Sequence, residues 1–220
     1  MKIKETREGV YEVGGGVATK SLAPGIQVYK EKIIKEGGAE YRLWNPYRSK
    51  LSAALKKGLV NFPFRHGTKV LYLGASTGTT ISHVSDIVGR EGEIYAVEIA
   101  AQCMKSLLRL SEQRENVIPI HGDARKPQEY EEVGKVDAIY QDVAQPDQDE
   151  ILIINARMFL KNGGIAMIAI KSQSIDVTLE PKLVFERVLK KLESHFEILE
   201  KIKLEPFDQD HLFVVLKFKA

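Results

Sequence analysis

The sequence predicts an α/β protein in which a small β module precedes a mostly parallel sheet. From residue 69 onward, short apolar runs typical of buried strands alternate with segments of helical periodicity. Such alternation indicates a Rossmann-like sheet covered by helices on both faces. Before that point, strand-like runs are separated by glycine clusters. We therefore predict a basic β module that ends in a helix over residues 1–57 and an α/β domain over residues 58–220.

The β module contains five predicted strands and a closing helix. The strands are expected at residues 2–6, 10–13, 17–20, 31–35 and 40–43. Asn45 is a favourable N-cap, and Pro46 suits the first helical position. Apolar residues then recur at helical spacing up to Gly58, which predicts a helix over residues 46–57.

The larger domain alternates strands with helices and ends in two further strands. Strands are predicted at residues 69–73, 93–97, 117–120, 136–141 and 164–170, and helices at residues 79–88, 101–113, 147–160 and 181–195. The last two strands, near residues 196–204 and 211–218, are expected to form an antiparallel hairpin, which makes the sheet mixed. In such a sheet, ligands bind at the carboxyl ends of the strands.

Composition limits the possible function classes. The chain of 220 residues is 44% hydrophobic, which is ordinary for a globular protein. Its first residues lack the apolar stretch of a signal peptide, and its longest apolar run, residues 165–170, is far too short to span a bilayer. We therefore expect a cytoplasmic protein without a membrane partner. Cys103 is the only cysteine, which excludes an internal disulfide.

Charge is distributed unevenly along the chain. The net charge is +2, but residues 1–57 carry 12 lysine and arginine residues against 6 aspartate and glutamate residues. A basic module fits an RNA partner, because phosphate neutralisation supplies most non-specific affinity for nucleic acids. A solvated, lysine-rich surface explains the excess equally well. Trp44 and Tyr47 could stack on bases, although packing of the β module on the larger domain is their expected role.

A glycine loop in the larger domain is the first candidate binding site. It runs from Gly74 through Ala75 to Gly78 and directly follows the first apolar strand of that domain. Glycine lets the backbone approach a ligand closely, and the start of the next helix offers unpaired N–H groups. The spacing matches neither the G-x-G-x-x-G dinucleotide motif nor a P-loop. The loop alone is therefore weak evidence for any one cofactor.

Acidic residues follow three successive strands of the same domain. Glu98 ends the second strand, where a carboxylate can accept both hydroxyls of a ribose. Asp123 follows the third strand, where it can meet the exocyclic amine of adenine, and Asp142 follows the fourth. Any one of these acids could be a loop residue or a helix cap. Together with the glycine loop, they predict one crevice for an adenosine-containing cofactor, with S-adenosylmethionine favoured over NAD.

Three further polar residues are predicted to face this crevice. Lys171 directly follows a buried strand, His211 opens the last strand, and Lys50 lies at the border of the apolar face of the first helix. Each also has a simpler explanation, since a lysine that ends a buried strand usually extends into solvent. No arrangement of histidine, aspartate and glutamate has metal-site spacing, so no metal is expected.

Three long motifs closely resemble those of fibrillarin, the RNA 2'-O-methyltransferase, in its short archaeal form. They are Trp44-Asn45-Pro46-Tyr47-Arg48-Ser49-Lys50, the block from Leu73 to Asp86, and Asp142-Val143-Ala144-Gln145-Pro146-Asp147-Gln148. The resemblance covers essentially the whole chain. It implies the sheet of S-adenosylmethionine-dependent methyltransferases, with S-adenosylmethionine as cofactor. It also implies that the catalytic tetrad of the family falls on Lys50, Asp142, Lys171 and His211.

The resemblance implies cofactor contacts as well. They would fall on Thr79, Thr80, Glu98, Ile99, Asp123, Ala124, Asp142, Val143, Ala144 and Gln145, in addition to the loop residues Gly74, Ala75 and Gly78. Ile99 stands where the family often has phenylalanine, which should reduce stacking on adenine. In the transfer itself, we expect Lys171 to orient or deprotonate the ribose hydroxyl, Asp142 to position Lys171, and His211 to complete the hydrogen-bond network.

The resemblance further implies the partners of the chain. Its substrates would be ribosomal RNA and transfer RNA, and it would be the catalytic subunit of a box C/D ribonucleoprotein. A box C/D guide RNA would select the target RNA. A Nop-domain scaffold protein and a kink-turn-binding ribosomal-type protein would complete the complex. Two alternatives stay open, namely a non-catalytic RNA-binding subunit and an NAD-dependent oxidoreductase.

Overall fold

The structure, a computed structural model, describes residues 2–219 and begins with a five-stranded antiparallel sheet. Its strands are β1 (Ile3–Arg7), β2 (Val10–Val13), β3 (Gly16–Lys20), β4 (Ile33–Glu36) and β5 (Ala39–Leu43), in the spatial order β1-β2-β3-β5-β4. A two-residue turn at Gly14 and Gly15 joins β2 to β3, with φ of 57° and 76°. Positive φ at both positions is the geometry that favours glycine in tight hairpins. The predicted small β sheet is confirmed.

The first helix begins one turn later than predicted. α1 spans Lys50–Lys56, and the hydroxyl of Ser49 caps it by accepting a backbone hydrogen bond at 3.3 Å. Asn45, the predicted cap, instead accepts a hydrogen bond from Tyr47 N at 2.9 Å. A helix start at residue 46 is therefore wrong, because Asn45 closes a turn with its own backbone. Lys50 becomes the first residue of the helix.

The second sheet has seven strands and forms the larger part of the molecule. They are β6 (Lys69–Leu73), β7 (Glu93–Glu98), β8 (Val117–His121), β9 (Val136–Gln141), β10 (Leu160–Lys171), β11 (Phe196–Lys203) and β12 (His211–Phe218). The helices are α2 (Thr79–Val88), α3 (Ala101–Ser111), α4 (Gln148–Phe159), α5 (Ser172–Ile175) and α6 (Pro181–Glu193), with a 3-10 helix at Pro127–Val133. The 3-10 helix and α5 were not predicted, because such short segments carry no helical periodicity.

The strand order of this sheet is β11-β12-β10-β9-β6-β7-β8. The five strands from β10 to β8 in that order are mutually parallel, and β12 is antiparallel to both β10 and β11. The predicted mostly parallel sheet with an antiparallel C-terminal hairpin is therefore confirmed. The order reverses at β6, which has β7 on one side and β9 on the other. Ligands of such sheets bind at the carboxyl ends of strands beside this reversal.

Both faces of the seven-stranded sheet are buried. Along β6, Val70 and Tyr72 pack in the cluster that also contains Trp44 from the N-terminal module. Leu71 and Leu73, which point the opposite way, pack in the cluster under α4 and α6. Burial on both sides explains why these strands read as continuous apolar runs. The domain boundary at residue 57 stays a prediction, since residues on both sides of it share the first cluster.

Within residues 2–219, none of the helices combines the length and the apolar character needed to cross a lipid bilayer.

Candidate functional site

The turn after β6 packs directly against the end of β9. Gly74 has a φ of 83°, and a Cβ atom there would lie 2.9 Å from the backbone oxygen of Asp142. Gly78, the N-cap of α2, has a φ of 86°, and a Cβ atom there would lie 2.6 Å from a methyl carbon of Leu110. A side chain at Gly74 would therefore displace the backbone that carries Asp142. The glycine loop and Asp142 form one packed unit.

The Glu98 carboxylate at the end of β7 is held by backbone groups on both oxygens. Ser76 N donates to Oε2 at 2.6 Å, and Ala100 N donates to Oε1 at 2.8 Å. Glu98 is only 8% exposed, so these bonds fix its orientation. Each carboxylate oxygen can still accept a further hydrogen bond. The pair of oxygens thus suits a ligand with two adjacent hydroxyl groups.

A cavity of about 310 Å³ lies over the carboxyl ends of β6 to β9, within the size range of small-molecule sites. It is lined by nine of the predicted cofactor-binding residues, which are Gly74, Glu98, Ile99, Asp123, Ala124, Asp142, Val143, Ala144 and Gln145. The other four do not line it. Ala75 lies in the hydrophobic core, Gly78 packs on Leu110, Thr79 lines a neighbouring cavity, and Thr80 donates to the buried hydroxyl of Ser49 at 2.9 Å.

The composition of this lining fits an adenosine. Glu98 presents two oxygens to a diol, and Asp123 Oδ1 accepts from Arg125 N at 3.0 Å and lies 3.9 Å from Arg125 Nη1. Within residues 2–219, no hydrogen bond is made to Oδ2 of Asp123, which can accept from an amine. Ile99 and Ile151 add apolar surface on which a flat ring can pack. Carboxylates that select hydroxyls and an amine, together with apolar walls, are the features expected of a nucleoside site.

Two lysine ammonium groups converge on Asp142 at the edge of the cavity. Lys171 Nζ lies 2.8 Å from Asp142 Oδ1 and donates to the Asp142 backbone oxygen at 2.9 Å. Lys50 Nζ, at the start of α1, lies 3.3 Å from the same Oδ1. The three side chains are between 15% and 19% exposed. Partial burial strengthens these charge pairs relative to surface pairs while leaving access for a ligand.

His211 reaches this group through a residue that was not predicted. It is the cross-strand neighbour of Lys171 in the pairing of β10 with β12. Its Nδ1, however, lies 3.0 Å from Asp208 Oδ1 and 2.5 Å from the Gln209 backbone oxygen. Asp208 Oδ2 lies 3.5 Å from Lys50 Nζ. The structure therefore brings the four predicted tetrad residues together and adds Asp208 between two of them.

Comparison with known proteins assigns the family. The Fibrillarin family model matches residues 1–220. The fibrillarin-like rRNA/tRNA 2'-O-methyltransferase of Pyrococcus furiosus is 56% identical over 203 residues, which make up 91% of this chain and 89% of that protein. This chain belongs to the fibrillarin family. The resemblance carried by the three sequence motifs is confirmed.

Two solved structures extend the comparison to bound molecules. Fibrillarin from Aeropyrum pernix, in complex with natively bound S-adenosyl-L-methionine, has a TM-score of 0.90 and 46% identity and covers 98% of both chains. A chain from a fibrillarin/Nop5p complex has a TM-score of 0.91 and 45% identity and covers 98% of this chain and all of that one. Both confirm the methyltransferase fold of this fibrillarin-family chain.

In this member of the fibrillarin family, a buried glutamine sets the backbone of Lys171. Gln148 Oε1 accepts from Lys171 N at 3.1 Å, and Gln148 Nε2 donates to Lys171 O at 3.4 Å. Gln141 Nε2 in turn donates to the Gln148 backbone oxygen at 2.7 Å. Both glutamines are fully buried. Sequence reasoning missed this role, although Gln148 closes one of the three motifs.

Arg125 was also missed, and it bridges two loops that line the cofactor cavity. Its guanidinium donates to both carboxylate oxygens of Asp147, at 2.7 and 2.8 Å, and to Gln145 Oε1 at 2.8 Å. The hydrogen bond from Arg125 lowers the pKa of Asp147. The bidentate pair ties the loop after β8 to the loop after β9. Arg125 belongs to no motif or periodic pattern, so the sequence did not indicate its role.

Proposed function

We propose that this chain transfers the methyl group of S-adenosylmethionine to ribose 2'-hydroxyls of ribosomal and transfer RNA. The convergence of Lys50 and Lys171 on Asp142, at the edge of a cavity that fits adenosine, carries the proposal. Membership of the fibrillarin family supports the same reaction, as does the activity for which the Pyrococcus furiosus relative is named.

The cavity residues would hold the cofactor by its nucleoside. Glu98 would accept the ribose hydroxyls and Asp123 the adenine amine, while Gly74 leaves the loop backbone close to the ligand. When bound, S-adenosylmethionine supplies an electrophilic methyl group on a sulfonium. The Aeropyrum pernix relative holds this molecule natively, which supports the choice of cofactor.

The tetrad residues would hold the RNA hydroxyl for an in-line displacement, which requires the attacking oxygen to be placed behind the methyl carbon. Lys171 Nζ donates a hydrogen bond to the Asp142 backbone oxygen and lies 2.8 Å from Oδ1, and an ammonium group has three N–H donors, so it can also donate to the ribose oxygen. Asp142 positions Lys171, and Lys50 steadies the carboxylate from the other side. His211 and Asp208 complete the network through Lys50.

We also propose that the chain acts within a box C/D ribonucleoprotein. The fibrillarin/Nop5p complex supports a Nop-domain protein as the scaffold. A guide RNA would select the target nucleotide, and a kink-turn-binding ribosomal-type protein would bind the guide. Delegated target choice agrees with the absence of a base-reading motif in the sequence.

Methyl transfer to a guide-matched RNA, followed with labelled S-adenosylmethionine, tests the proposal. With scaffold, kink-turn protein and guide present, we expect one 2'-O-methyl group at the guided nucleotide. Absence of transfer by the complete complex would contradict the activity. Robust methylation by the chain alone, without guide, would contradict the partner proposal.

Calorimetric titration separates this activity from the two alternatives. We expect S-adenosylmethionine and S-adenosylhomocysteine to bind and NAD not to bind. A non-catalytic RNA-binding subunit would bind none of the three molecules. An oxidoreductase would bind only NAD.

A further inference from the structure

The two lysines that converge on Asp142 are carried by different kinds of element. Lys50 is the first residue of α1. Trp44, which precedes that helix, packs between the N-terminal module and the larger domain, as predicted, and is 1% exposed. The same expectation for Tyr47 is wrong, because Tyr47 is 68% exposed. Lys171 instead ends β10, so its position depends on how the end of that strand is held.

The end of β10 extends beyond the end of β9. Ile168 pairs with Gln141, the last residue of β9, and the register of the two strands ends at that pair. Pairing of β10 with β12 continues to Lys171, which lies opposite His211. Within residues 2–219, the last residues of β10 therefore have a strand beside them on the β12 side alone.

Lys171 directs its backbone N–H and C=O away from β12. Just past the paired residues, Ser172 N donates to Asp210 O at 3.3 Å. Successive residues of an antiparallel pair alternate between exchanging hydrogen bonds with the opposite strand and exchanging none. The backbone polar groups of Lys171, one residue earlier, therefore face the side where β9 has ended. Buried without partners, such groups would cost free energy.

The carboxamide of Gln148 takes the place of the missing strand. Its Oε1 accepts from Lys171 N at 3.1 Å, and its Nε2 donates to Lys171 O at 3.4 Å. Two hydrogen bonds exchanged with one residue are the pattern of a hydrogen-bonded pair in an antiparallel sheet. A primary amide can form this pattern because it carries an acceptor and a donor side by side. The reverse orientation of the amide would place its NH₂ group against the N–H of Lys171.

Gln148 is itself fixed in place. It is the first residue of α4 and is fully buried. Gln141 Nε2 donates to its backbone oxygen at 2.7 Å, and Gln141 is fully buried and directly precedes Asp142. Lys171 Nζ lies 2.8 Å from Asp142 Oδ1. The two glutamines therefore join the backbone segments that carry the two partners of this ion pair.

We propose that Gln148 is a positioning residue for methyl transfer, which holds the end of β10 so that the Lys171 ammonium stays at Asp142. This inference rests on the proposed function, because it takes Lys171 as the group that orients the ribose hydroxyl. Gln148 is not among the residues that line the cofactor cavity. Its loss should therefore slow the transfer and leave cofactor binding intact. A displacement of about 1 Å at a reacting group can slow a reaction about 100-fold.

The first test replaces Gln148 by methionine, which keeps an unbranched side chain and removes both hydrogen bonds. In the assembled complex with guide RNA, we expect kcat of Gln148→Met to fall about 100-fold. The KM for RNA and the affinity for S-adenosylmethionine should change less than about twofold.

The matched control is Asn116→Leu. Asn116 is 4% exposed, lies directly before β8, and donates to Ser85 O at 3.0 Å and to Gly89 O at 2.8 Å. This variant also loses a buried amide but should keep the wild-type kcat. A wild-type kcat for Gln148→Met, or equal falls in kcat for the two variants, would overturn the proposal.

The second test is the pH profile of Gln148→Glu. A protonated carboxyl has one acceptor and one O–H donor and can replace the amide, whereas a carboxylate only accepts and would repel Lys171 O. The ratio of variant to wild-type kcat should therefore fall at least about tenfold as pH rises through the pKa of the introduced carboxyl. Buried glutamates titrate as high as about pH 9, so the profile runs from about pH 5 to about pH 9.5.

Gln148→Met supplies the reference for this profile, because its ratio to wild-type kcat should not change with pH. Circular dichroism at each pH confirms that the variants are folded. A ratio for Gln148→Glu that is also independent of pH would overturn the proposal.

Hydrogen exchange tests the same contact without relying on activity. In the free chain, the amide of Lys171 should exchange about tenfold faster in Gln148→Met than in the wild type, and at the wild-type rate in Asn116→Leu. Unchanged exchange in Gln148→Met would overturn the proposal, whatever methylation shows. A wild-type complex that transfers no methyl group would instead contradict the proposed function.

Discussion

Two clusters of acidic and cationic side chains differ sharply in burial, one at the tetrad and one where the N-terminal sheet packs on α2. At the second place, Arg42 of β5 lies 2.7 Å from both Glu31 and Asp86, and all three side chains are fully buried. At the tetrad and Asp208, the pairs are 2.8 to 3.5 Å apart and the side chains are 15% to 33% exposed. The same chemical groups therefore form short, fully buried ion pairs in one place and longer, partly exposed ion pairs in the other.

The buried network has an ordered chain of hydrogen bonds. The Thr19 hydroxyl donates its single proton to Asp86 at 2.6 Å, so it accepts from His83 Nδ1 at 2.7 Å. His83 Nε2 then accepts from the Tyr29 hydroxyl at 2.7 Å. Burial, and after it the charge of Arg42, lower the pKa of His83, so the ring is neutral.

The difference between the two places teaches how charge pairs are used in this fold. The buried network fixes the N-terminal sheet on α2, and Trp44, stacked on His83 at 4.7 Å, continues that contact toward α1. α1 carries Lys50 to the tetrad. At the tetrad, Lys171 and Asp142 are 15% and 18% exposed, which leaves the pair accessible to a ligand, as the proposed function requires.

Among substitutions at the partly exposed tetrad, Lys171→Ala should have the largest effect on activity. We expect kcat to fall at least about 10³-fold, because the ribose hydroxyl loses its orienting group. S-adenosylmethionine affinity should change less than about twofold, since Glu98 and Asp123, which are proposed to hold the nucleoside, remain. Single-turnover methylation and calorimetry measure the two quantities. Lys161→Ala, which removes an exposed pair with Asp137, is the control, and wild-type turnover of Lys171→Ala would sink the assignment.

Among substitutions in the buried network, Arg42→Met should have the largest effect on stability. The buried Glu31 carboxylate loses its ion pair with Arg42, whereas Asp86 keeps Arg114 at 2.6 Å, and breaking such a buried pair costs about 3 to 5 kcal/mol of unfolding free energy. Arg125→Met removes an exposed pair with Asp147 and should cost less than about 1 kcal/mol. Urea denaturation measures both variants. Similar losses for the two would show that burial does not distinguish these networks.

Gly74→Ala tests the contact between the cofactor loop and the tetrad. The added Cβ would meet the Asp142 backbone at 2.9 Å, so we expect S-adenosylmethionine affinity to fall by about 10- to 100-fold, an effect of about 1.4 to 2.8 kcal/mol. Gly163→Ala is matched, because Gly163 also has a positive φ, of 72°, but its nearest contact would be Lys217 Cε at 3.7 Å. Calorimetry should show a loss of affinity only for Gly74→Ala. Equal losses would assign the effect to backbone strain alone.

Asp208→Asn should reduce activity less than Lys171→Ala does. The change keeps the shape of the side chain but removes the charge between Lys50 and His211, and we expect kcat to fall about tenfold. Asp210→Asn is the control, because Asp210 has a φ of 55°, which asparagine tolerates. Steady-state methylation with saturating RNA measures both. An Asp208→Asn variant as active as Asp210→Asn would remove Asp208 from the network.

The smallest effect is the pH dependence of stability from His83. Because burial lowers its pKa in the folded protein, the unfolded chain takes up the proton first as pH falls. Stability is therefore lost as pH decreases below about 6.5, with a slope of up to about 1.4 kcal/mol per pH unit. Denaturation at several pH values should show a shallower slope for His83→Gln. The exposed His66→Gln should keep the wild-type slope, and equal slopes for all three would contradict a neutral His83.

Much of the fold was predictable because it depends on local patterns. Apolar runs indicated the strands of both sheets, and Glu98, Asp123 and Asp142 were correctly placed at strand ends, beside one cavity. The predicted start of α1 at residue 46 was wrong. An asparagine can either cap a helix or close a turn, and Asn45 closes a turn by accepting a hydrogen bond from Tyr47 N. Only tertiary packing decides between the two. Arg125 carries no periodic signal, so its bridge between two loops was invisible in the sequence.

By itself, the sequence determined the strands, the glycine loop and the family motifs, because these depend on residues only a few positions apart. Only the tertiary structure decided the insertion of β12 between β10 and β11, the contact of Asp208 with Lys50, and the network around Arg42. Lys50 and Asp142 are 92 residues apart, and Thr19 and His83 are 64 apart. Hydrophobic periodicity and turn preferences reflect residues only a few positions apart in the sequence, whereas these contacts depend on how the two sheets pack.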